Sequence, residues 1–443
     1  MLQSETVRKY DTYKDSGIEW IGKIPQEWNA IKFKYCFSII GGNGFSETLQ
    51  GNSNGEIPFC KCSDINDSST NFVSSANNYV SVECCNDNNF NLVPENSILI
   101  AKIGEALKKN HRKINTVPCC IDNNMEAFVL KNNVDKLYYF YVLKCIDMLW
   151  FDNGGIIPSV NNEKLKNFKL PYINKIKQQQ IADYLDKKCG EIDKVVETEK
   201  LVIEKLKEYK QSIITETVTK GLNKSIPLKD SGIEWIGKIP QHWEIIKLKK
   251  TISLIADIDH YMPDTTDTGY SYLMTGDLKD IASKIDFENC KHISDSDYND
   301  LSKKIHPVLD DVIFARYATI GTVCYVDIQK DFLVSYSCLI IRPNSEKLFG
   351  KFLYYYLISD TFKIEVSQYI NSNTQSNVGL DSLQKVYMVL PNKTEQQQIA
   401  EYLDKKCSEI DKAIADKEQV IEKFTEYKKS LIYECVTGKK RVA

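Results

Sequence analysis

Apolar residues recur at steps of three and four in two long stretches of the chain, and lysine and glutamate fill most positions between them. The stretches cover residues 178–219 and 396–437 and are identical at 27 of 42 positions. Their apolar positions are Ile181, Leu185, Ile192, Val196, Val202, Leu206, Tyr209 and Ile213, and then Ile399, Leu403, Ile410, Ile414, Ile421, Phe424, Tyr427 and Leu431. This spacing predicts two long helices with narrow apolar seams. Because such a helix is not stable alone in water, we expect the two copies to pair antiparallel as a coiled coil.

The apolar runs outside these helices are short and β-branched, and Asn, Asp, Gly and Ser bound them, which is typical of strands and turns. They fall in two regions of nearly equal length, about 36–164 and 251–382. Weak likenesses between the regions join Ile57–Ile65 to Tyr270–Leu278 and Asn96–Gly104 to Asp310–Ala318. One aromatic helix is predicted in each region, over Leu137–Trp150 and Phe349–Phe362.

A second repeat precedes each region. The stretch KDSGIEWIGKIPQEW (Lys14–Trp28) returns as KDSGIEWIGKIPQHW (Lys229–Trp243). Compared without gaps, Lys14–Tyr35 and Lys229–Lys250 share 17 identities in 22 positions. Repeats of this strength define the architecture. We therefore predict an α+β fold with an internal pseudo-twofold repeat, in which two long antiparallel helices join two similar, mainly β domains.

The repeats also give the predicted domain boundaries. Residues 1–169 form a leading segment with the first globular domain, and 170–222 form the central long helix. Residues 223–388 repeat the first domain, and 389–443 form the carboxy-terminal long helix. The scaffold is alike in both halves, whereas the globular surfaces have diverged. This favours a molecule that performs one task on two different targets, since two identical catalytic sites would be expected to keep identical residues.

Composition and cysteine spacing exclude several classes of protein. No apolar run approaches the ~20 residues that span a bilayer, and the amino terminus lacks the apolar core of a secretion signal, so we expect no membrane contact. The fourteen cysteines form no C-x-x-C pair, and no two histidines lie at ligand spacing. We expect reduced thiols in a cytoplasmic chain without a metal, with a zinc site as the alternative. The net charge of −3 still permits a local basic face.

The motifs that occur twice resemble those of the DNA-specificity subunit of type I restriction–modification systems, over essentially the whole chain. The resemblance rests on the double SGIEWIGKIPQxW segment and on the double opening of the long helices, LP followed by QQQIAxYLDxKxxEID. The similar ends of the two helices, Glu216–Gly221 and Glu434–Gly438, add to it.

The resemblance implies a subunit that catalyses nothing and binds double-stranded DNA. Two target-recognition domains would each read one half of a split, asymmetric site, with the two helices as a spacer between them. Two methyltransferase subunits would dock on the helices, and a motor–nuclease subunit is an optional further partner. The partner-binding positions expected from the repeated text are Gln178, Tyr184 and Leu185, with Gln396, Tyr402 and Leu403 in the second copy.

Two departures from the family pattern concern equivalent positions. The second long helix has Pro391 and Glu395 where the family pattern has a proline-rich turn and a glutamate, but the first has Lys177 at the glutamate position. The step Lys102–Ile103–Gly104 corresponds to Arg316–Tyr317–Ala318, with Gly321 three residues later, so the equivalence of these two loops is open.

The candidate DNA contacts lie in these loops and near the end of each domain. Lysine and arginine hold phosphates, and side-chain amides read base edges. The set for the first domain is Lys102, Lys108, Lys109, His111, Arg112, Lys113, Asn161 and Asn162. The set for the second domain is Arg316, Tyr317, Thr374, Gln375 and Asn377. For both sets a solvated polar loop is the alternative interpretation.

The sequence lacks the motifs for binding calcium, ATP or a methyl donor. Asp257–Asp267 begins like a calcium loop, but Tyr261 and Met262 occupy the places that need a ligand and a glycine. The chain contains no phosphate-binding G-x-x-x-x-G-K-[ST] loop and no N/D-P-P-[FYW] methylation motif, so we expect no ATP, methyl donor or other cofactor. The rival hypotheses are a coiled-coil scaffold that binds proteins and an enzyme that uses cysteine or a metal.

Overall fold

The structure is a computed structural model that describes residues 9–66, 70–132, 134–371 and 376–442. It separates into two compact units. Unit 1 comprises Met1–Glu199 with Gln419–Ala443, and unit 2 comprises Lys200–Glu418. Each unit therefore contains one globular region together with one half of each long helix.

The elements of unit 1 are mostly short. Its strands are β1 (Tyr13–Asp15), β2 (Lys23–Pro25), β3 (Asn29–Lys32), β4 (Phe37–Gly41), β5 (Ile57–Cys60), β6 (Phe72–Val73), β7 (Tyr79–Val80), β8 (Ile98–Ala101), β9 (Arg112–Asn115), β10 (Cys120–Ile121), β11 (Met125–Leu130) and β12 (Lys169–Tyr172). Its helices are α1 (Phe33–Cys36), α2 (Val82–Asp87), α3 (Gly104–Lys108), α4 (Lys136–Lys144), α5 (Asn162–Asn167) and the start of the long α6 (Lys175–Lys220).

Two sheets form the globular part of unit 1. The larger has the order β4-β11-β8-β9-β6, and the smaller has the order β10-β5-β7. The central strand β8 reads ILIA and is buried at all four positions, as expected for a strand covered on both faces. The leading segment forms the hairpin β1-β2, and β3 pairs with β12, the strand that runs into the long helix. The leading segment is thus bonded to the start of α6.

Helix α4 supplies much of the core of unit 1. All six residues from Tyr138 to Leu143 are buried, and they share one apolar cluster with Trp28, Leu185 and Leu431. The helix is shorter than the predicted span of 137–150. It ends at Lys144 because Asp147 starts a separate 3-10 turn, where its side chain accepts a 2.9 Å hydrogen bond from the Leu149 N–H.

Unit 2 repeats this series of elements. Its strands are β13 (Leu228–Asp230), β14 (Lys238–Pro240), β15 (Glu244–Lys247), β16 (Ile252–Ala256), β17 (Tyr270–Leu273), β18 (Lys291–Ile293), β19 (Val312–Ala315), β20 (Val323–Tyr325), β21 (Phe332–Val334), β22 (Cys338–Pro343), β23 (Ile370–Asn371), β24 (Asn377–Val378) and β25 (Tyr387–Leu390). Its helices are α7 (Asp295–Leu301), α8 (Gly350–Ile358), α9 (Asp360–Ser367), α10 (Leu380–Lys385) and the start of the long α11 (Lys393–Val436).

The sheets of unit 2 correspond to those of unit 1, although within the described residues the larger sheet has four strands instead of five. The larger has the order β16-β22-β19-β20, and the smaller has the order β18-β17-β21. Strand β17 pairs parallel with β21, just as β5 pairs parallel with β10 in unit 1. Strands β5 and β17, like β8 and β19, are the segments that the sequence links only weakly. The predicted α+β fold with two similar domains is confirmed.

The long helices pair antiparallel, as predicted. In unit 1 the ammonium of Lys440, just beyond the end of α11, lies 5.5 Å from the centre of the Tyr184 ring, while Lys428 on α11 pairs with Asp193 at 2.6 Å. Residue numbers therefore rise along α6 as they fall along the facing segment. Unit 2 has the corresponding pair, Lys210 with Asp411 at 2.7 Å. The two ion pairs are the same interaction made once in each unit.

Part of the predicted apolar seam is not buried. Tyr209 is 57% exposed in unit 2, and the corresponding Tyr427 is 45% exposed in unit 1. Two paired helices cover only the facing strip of each other, so residues on the flank of the stripe stay in solvent. Assignment of both tyrosines to the buried seam was therefore wrong.

The structure also describes the features on which the expectations about membrane spans, cysteines and metal sites depend. Among the described residues, every helix is too short or too polar to span a bilayer. All fourteen cysteines lie in the described part of the chain, and each is a free thiol. No group of three or more His, Cys, Asp and Glu side chains in that part is arranged to hold a metal ion.

Candidate nucleic-acid interface

The loop that follows strand β8 is built around Lys102. The Lys102 N–H donates to the Asn124 carbonyl at 2.8 Å, and the Lys102 carbonyl accepts from the Val160 N–H at 3.0 Å. The ammonium lies 3.8 Å from a carboxylate oxygen of Glu126 on strand β11. Lys102 is therefore fixed at the end of the central strand and remains partly exposed.

The second unit has the same loop with different side chains. The Arg316 carbonyl accepts from the Val378 N–H at 3.1 Å, as Lys102 does from Val160. Gly104 and Ala318 both have a left-handed backbone, with φ of +70° and +54°. Such a φ favours glycine, yet Ala318 adopts it. The two loops are structurally equivalent, which settles the open question that the sequence left.

Three of the remaining basic candidates of unit 1 reach the surface. Lys108 and Lys109 are exposed at the end of helix α3, and Lys108 donates a 2.5 Å hydrogen bond to Glu105. His111 is half-buried. With Lys102, these side chains are placed where a phosphate could approach, and their contact with DNA stays a prediction.

Arg112 and Lys113 lie inside unit 1, on strand β9. The Arg112 guanidinium donates to the Ile146 carbonyl at 3.1 Å and to Asn110, and burial lowers its pKa to about 10. Neither side chain is available to a phosphate in this structure, so the structure corrects their selection as surface contacts. The polar sequence HRKIN contains strand β9. All four residues of this strand are buried, because β9 lies between β8 and β6.

The two asparagines before helix α5 have separate roles. Asn161 caps the helix, since its side-chain oxygen accepts 3.0 Å hydrogen bonds from the Glu163 and Lys164 N–H groups. Asn162 donates to Glu126 at 2.8 Å. Burial raises the pKa of Glu126, and within the described residues its second oxygen and the Asn162 oxygen are buried without a hydrogen-bond partner. Both asparagines are thus engaged inside the unit through at least one bond.

Arg316 belongs to a charged cluster that the sequence did not reveal. Its guanidinium donates to Asp257 at 2.7 Å and lies 3.1 Å from His260 Nε2, and Asp257 also accepts from Lys304. Burial by itself would raise the pKa of Asp257, but hydrogen bonds from His260 and Lys304 and the charge of Arg316 lower it below the ordinary value. The three-residue spacing of Asp257 and His260 was the only signal in the sequence, and it falls in the stretch that looked like a calcium loop.

Tyr317 lies beside this cluster and opposite Asn377. The two residues face each other as antiparallel backbone neighbours, and the Arg316 guanidinium lies 4.9 Å from the centre of the Tyr317 ring. The structure thus brings together Arg316, Tyr317 and Asn377, three of the five candidates for the second domain. The Arg316 side chain is buried, as Arg112 is, so the structure corrects its selection as a surface contact. Thr374 and Gln375 lie outside the described residues.

Gln178 and Gln396 are fully buried and bond to their own units. Gln178 accepts from the Asp135 N–H and donates to the Ile173 carbonyl, both at 2.7 Å. Gln396 repeats this, accepting from the Phe349 N–H at 2.8 Å and donating to the Pro391 carbonyl at 2.9 Å. Each glutamine joins the start of a long helix to the start of the aromatic helix, so the structure corrects their selection as partner contacts.

The other partner candidates divide in the same way in both copies. Leu185 and Leu403 are fully buried in the apolar cores, which corrects their selection too, because a partner cannot reach them. Tyr184 is half-buried against Lys440, and Tyr402 is 37% exposed. Of the six positions, only the two tyrosines present surface, and partner contact by them stays a prediction.

Comparison with known proteins identifies the family. The family model described as the type I restriction modification DNA specificity domain matches twice, over residues 25–208 and 241–423. The chain belongs to this family. Each match starts at the second strand of a hairpin or just after it and runs into a long helix, so the DNA specificity domain of the family corresponds to the repeat described above.

The chain is also similar to specificity subunits of type I restriction enzymes. The chain is 24% identical to the MjaVIII specificity subunit of a type I restriction enzyme from Methanocaldococcus jannaschii, over 95% of this chain and 94% of the relative. It is 26% identical to the EcoR124I/EcoR124II specificity subunit from Escherichia coli, over 40% of this chain and 42% of the relative. A chain solved in work on complex assembly of the type I R-M system superposes with a TM-score of 0.68 at 13% identity, over 94% of this chain and 99% of that one.

Proposed function

We propose that this chain is the DNA-recognition subunit of a type I restriction–modification system and that each unit reads one half of a split site. The observation that carries the proposal is the equivalence of the two loops. Lys102 and Arg316 occupy the same position, with the same backbone bond to Val160 or Val378, but their neighbouring side chains differ. One frame with two different recognition surfaces suits an asymmetric, bipartite target.

The chemistry of the loops supports nucleic acid as the target. Lys102, Lys108 and Lys109 are basic side chains in the loop after β8 and in helix α3 or just after it, and phosphates bind such groups with little regard to sequence. In unit 2, Tyr317 and Asn377 provide a ring and an amide next to Arg316. Side-chain amides read base edges in the major groove, whereas the buried Arg316 guanidinium bonds to Asp257 and lies against the Tyr317 ring.

We further propose that the chain catalyses nothing itself and directs two methyltransferase subunits, with a motor–nuclease subunit as an optional further partner in the cytoplasm. Two like surfaces imply two copies of one partner. Tyr184 and Tyr402 occupy the same position on the two long helices, and so do Tyr209 and Tyr427. Three of these tyrosines are exposed and Tyr184 is half-buried, and all four are suited to protein contacts because aromatic residues are enriched at interfaces.

Selection of DNA tests the proposal directly. The purified full chain, with its methyltransferase partner, is mixed with a pool of random 40-base-pair duplexes at several salt concentrations, and the bound fraction is sequenced. We expect a two-part motif with an unspecified gap, and affinity that falls steeply with salt because phosphate contacts release counterions. Failure to enrich any sequence, or affinity that does not change with salt, would favour a scaffold that binds only protein. Native mass spectrometry of the same complex should give two partner copies per chain.

A further inference from the structure

The loop between the end of the 3-10 turn and helix α5 displays two adjacent isoleucines. Ile156 is 105% exposed and Ile157 is 62% exposed, and Ile156 has the highest exposure of any large apolar side chain within the described residues. Scattered exposed apolar residues are common, but an adjacent pair of exposed isoleucines at a loop tip suggests a surface that is covered when the protein is bound.

The loop has a defined conformation. Asp152 accepts a 2.8 Å hydrogen bond from the Ser159 N–H, and the Asn153 N–H donates back to the Ser159 carbonyl at 3.0 Å. The Lys164 ammonium donates to the Asp152 carbonyl at 2.9 Å. These bonds close the base of the loop, so the isoleucines project from a fixed support and little order has to be gained on binding.

The loop is attached directly to the basic segment. The Gly104 N–H donates to the Pro158 carbonyl at 2.8 Å, and the Val160 N–H donates to the Lys102 carbonyl. A Cβ placed on Gly104 would lie 4.0 Å from a methyl group of Ile157. Ile157 therefore lies beside the start of helix α3, two residues after Lys102, and the helix ends at Lys108.

We propose that Ile156, supported by Ile157, packs against the 5-methyl group of a thymine in the major groove of the half-site bound by unit 1. This inference rests on the proposed function and names one specificity contact within it. The flanking lysines fit a phosphate backbone better than a protein surface, and the thymine methyl is the apolar group that a base presents in the major groove. The groove is wide enough to admit a two-stranded loop of this kind.

The test removes each methyl group singly. Duplexes that carry the selected site are made with deoxyuridine in place of each thymine of the first half-site, which deletes one methyl and nothing else. Binding by the full chain with its partner is measured for wild type, Ile156→Ala and the control Ile364→Ala. Ile364 is 50% exposed on helix α9 of unit 2, so it matches the loss of an exposed isoleucine away from the loop and from the long helices.

We expect one thymine whose methyl contributes roughly fourfold to wild-type affinity, as burial of one such group implies. Ile156→Ala should bind the thymine duplex about tenfold more weakly and should no longer distinguish thymine from deoxyuridine at that position. The slope of affinity against salt should be unchanged, because no charge is removed. Ile364→Ala should behave as wild type, and equal melting temperatures of the three proteins exclude a folding defect.

Two results would overturn the inference, and they can be told apart. If wild type binds its site with the expected salt dependence but no thymine position couples to Ile156, the contact is wrong and the proposed function stands. If wild type selects no DNA sequence, both the contact and the proposed function fail.

Discussion

Lys177 bonds to the Glu27 carboxylate at the start of α6, and the equivalent pair at the start of α11 has the opposite polarity. There, His242 Nε2 lies 3.0 Å from each carboxylate oxygen of Glu395. Lys177 replaces the glutamate of the family pattern, and its partner in the leading segment is an acidic residue, Glu27, where unit 2 has His242. The contact between the leading segment and the long helix is therefore kept in both units. In unit 2 the same carboxylate also accepts from the Trp243 indole at 3.3 Å.

This reversal predicts the outcome of charge exchange in unit 1. Lys177→Glu alone places two carboxylates together and should lower the free energy of unfolding by up to about 1 kcal/mol, since the pair is partly exposed. The double variant Glu27→Lys with Lys177→Glu should recover most of that decrease. Urea denaturation of wild type, both single variants and the double variant measures the coupling. A double variant no more stable than Lys177→Glu would show that the two side chains do not interact in solution.

Burial of Gln178 predicts that its loss destabilises the protein more than the loss of its exposed neighbour Gln179. Gln178→Ala leaves the Asp135 N–H and the Ile173 carbonyl without their partner and should destabilise the protein by about 1–3 kcal/mol. Gln179→Ala, one residue further along the same helix and exposed, should change stability by less than about 0.5 kcal/mol. Thermal unfolding of both variants decides the matter. Equal effects would mean that the Gln178 side chain does not hold these two backbone groups in solution.

The basic side chains of unit 1 should separate into DNA contacts and core residues. The double variant Lys108→Ala with Lys109→Ala should weaken binding to all sequences and reduce the slope of affinity against salt by about 1 for each phosphate that is no longer neutralised. Arg112→Met should leave that slope unchanged, because its guanidinium is buried and bonded to Ile146 and Asn110. A reduced slope for Arg112→Met, at unchanged stability, would place Arg112 at the interface after all.

Lys144 predicts a dependence of stability on pH. Burial lowers its pKa to about 8, although it donates to Asn71 at 2.8 Å, and an unfolded lysine titrates near 10.4. Below pH 8 both states carry the proton and the full penalty of burying the charge is present. Between about pH 8 and 10.5 the folded state is neutral while the unfolded state is charged, so the penalty progressively disappears as pH rises.

Comparison with Lys144→Met isolates this group. The free energy of unfolding of wild type, relative to the variant, should be constant from about pH 6 to 7.5 and should rise by up to about 3 kcal/mol towards pH 10.5. Urea denaturation at a series of pH values measures it. A relative stability that stays flat over the whole range would mean that the ammonium is not desolvated.

The architecture could be predicted from the sequence because the spacing of apolar residues and the repeated segments can be read without knowing which residues meet in space. The seam spacing indicated both long helices, and the doubled segments indicated the two units. The site was harder to predict, because burial depends on neighbours that are distant in the chain. Gln178 looks like a surface residue until the Asp135 N–H is placed beside it, and Arg112 looks exposed until β9 is placed between β8 and β6. Tyr209 lies on the apolar stripe by its spacing, but the strip that the partner helix buries is narrower than that stripe.

Exchange of one globular region tests most directly whether the two units read separate halves of one site. Residues 36–164 are replaced by the matching region of a relative, and methylated bases are mapped in DNA from cells that carry the chimaera and its partners. We expect one half of the modified site to change while the other half and the gap between them stay the same. A site that changes in both halves, or in neither, would contradict independent reading by the two units.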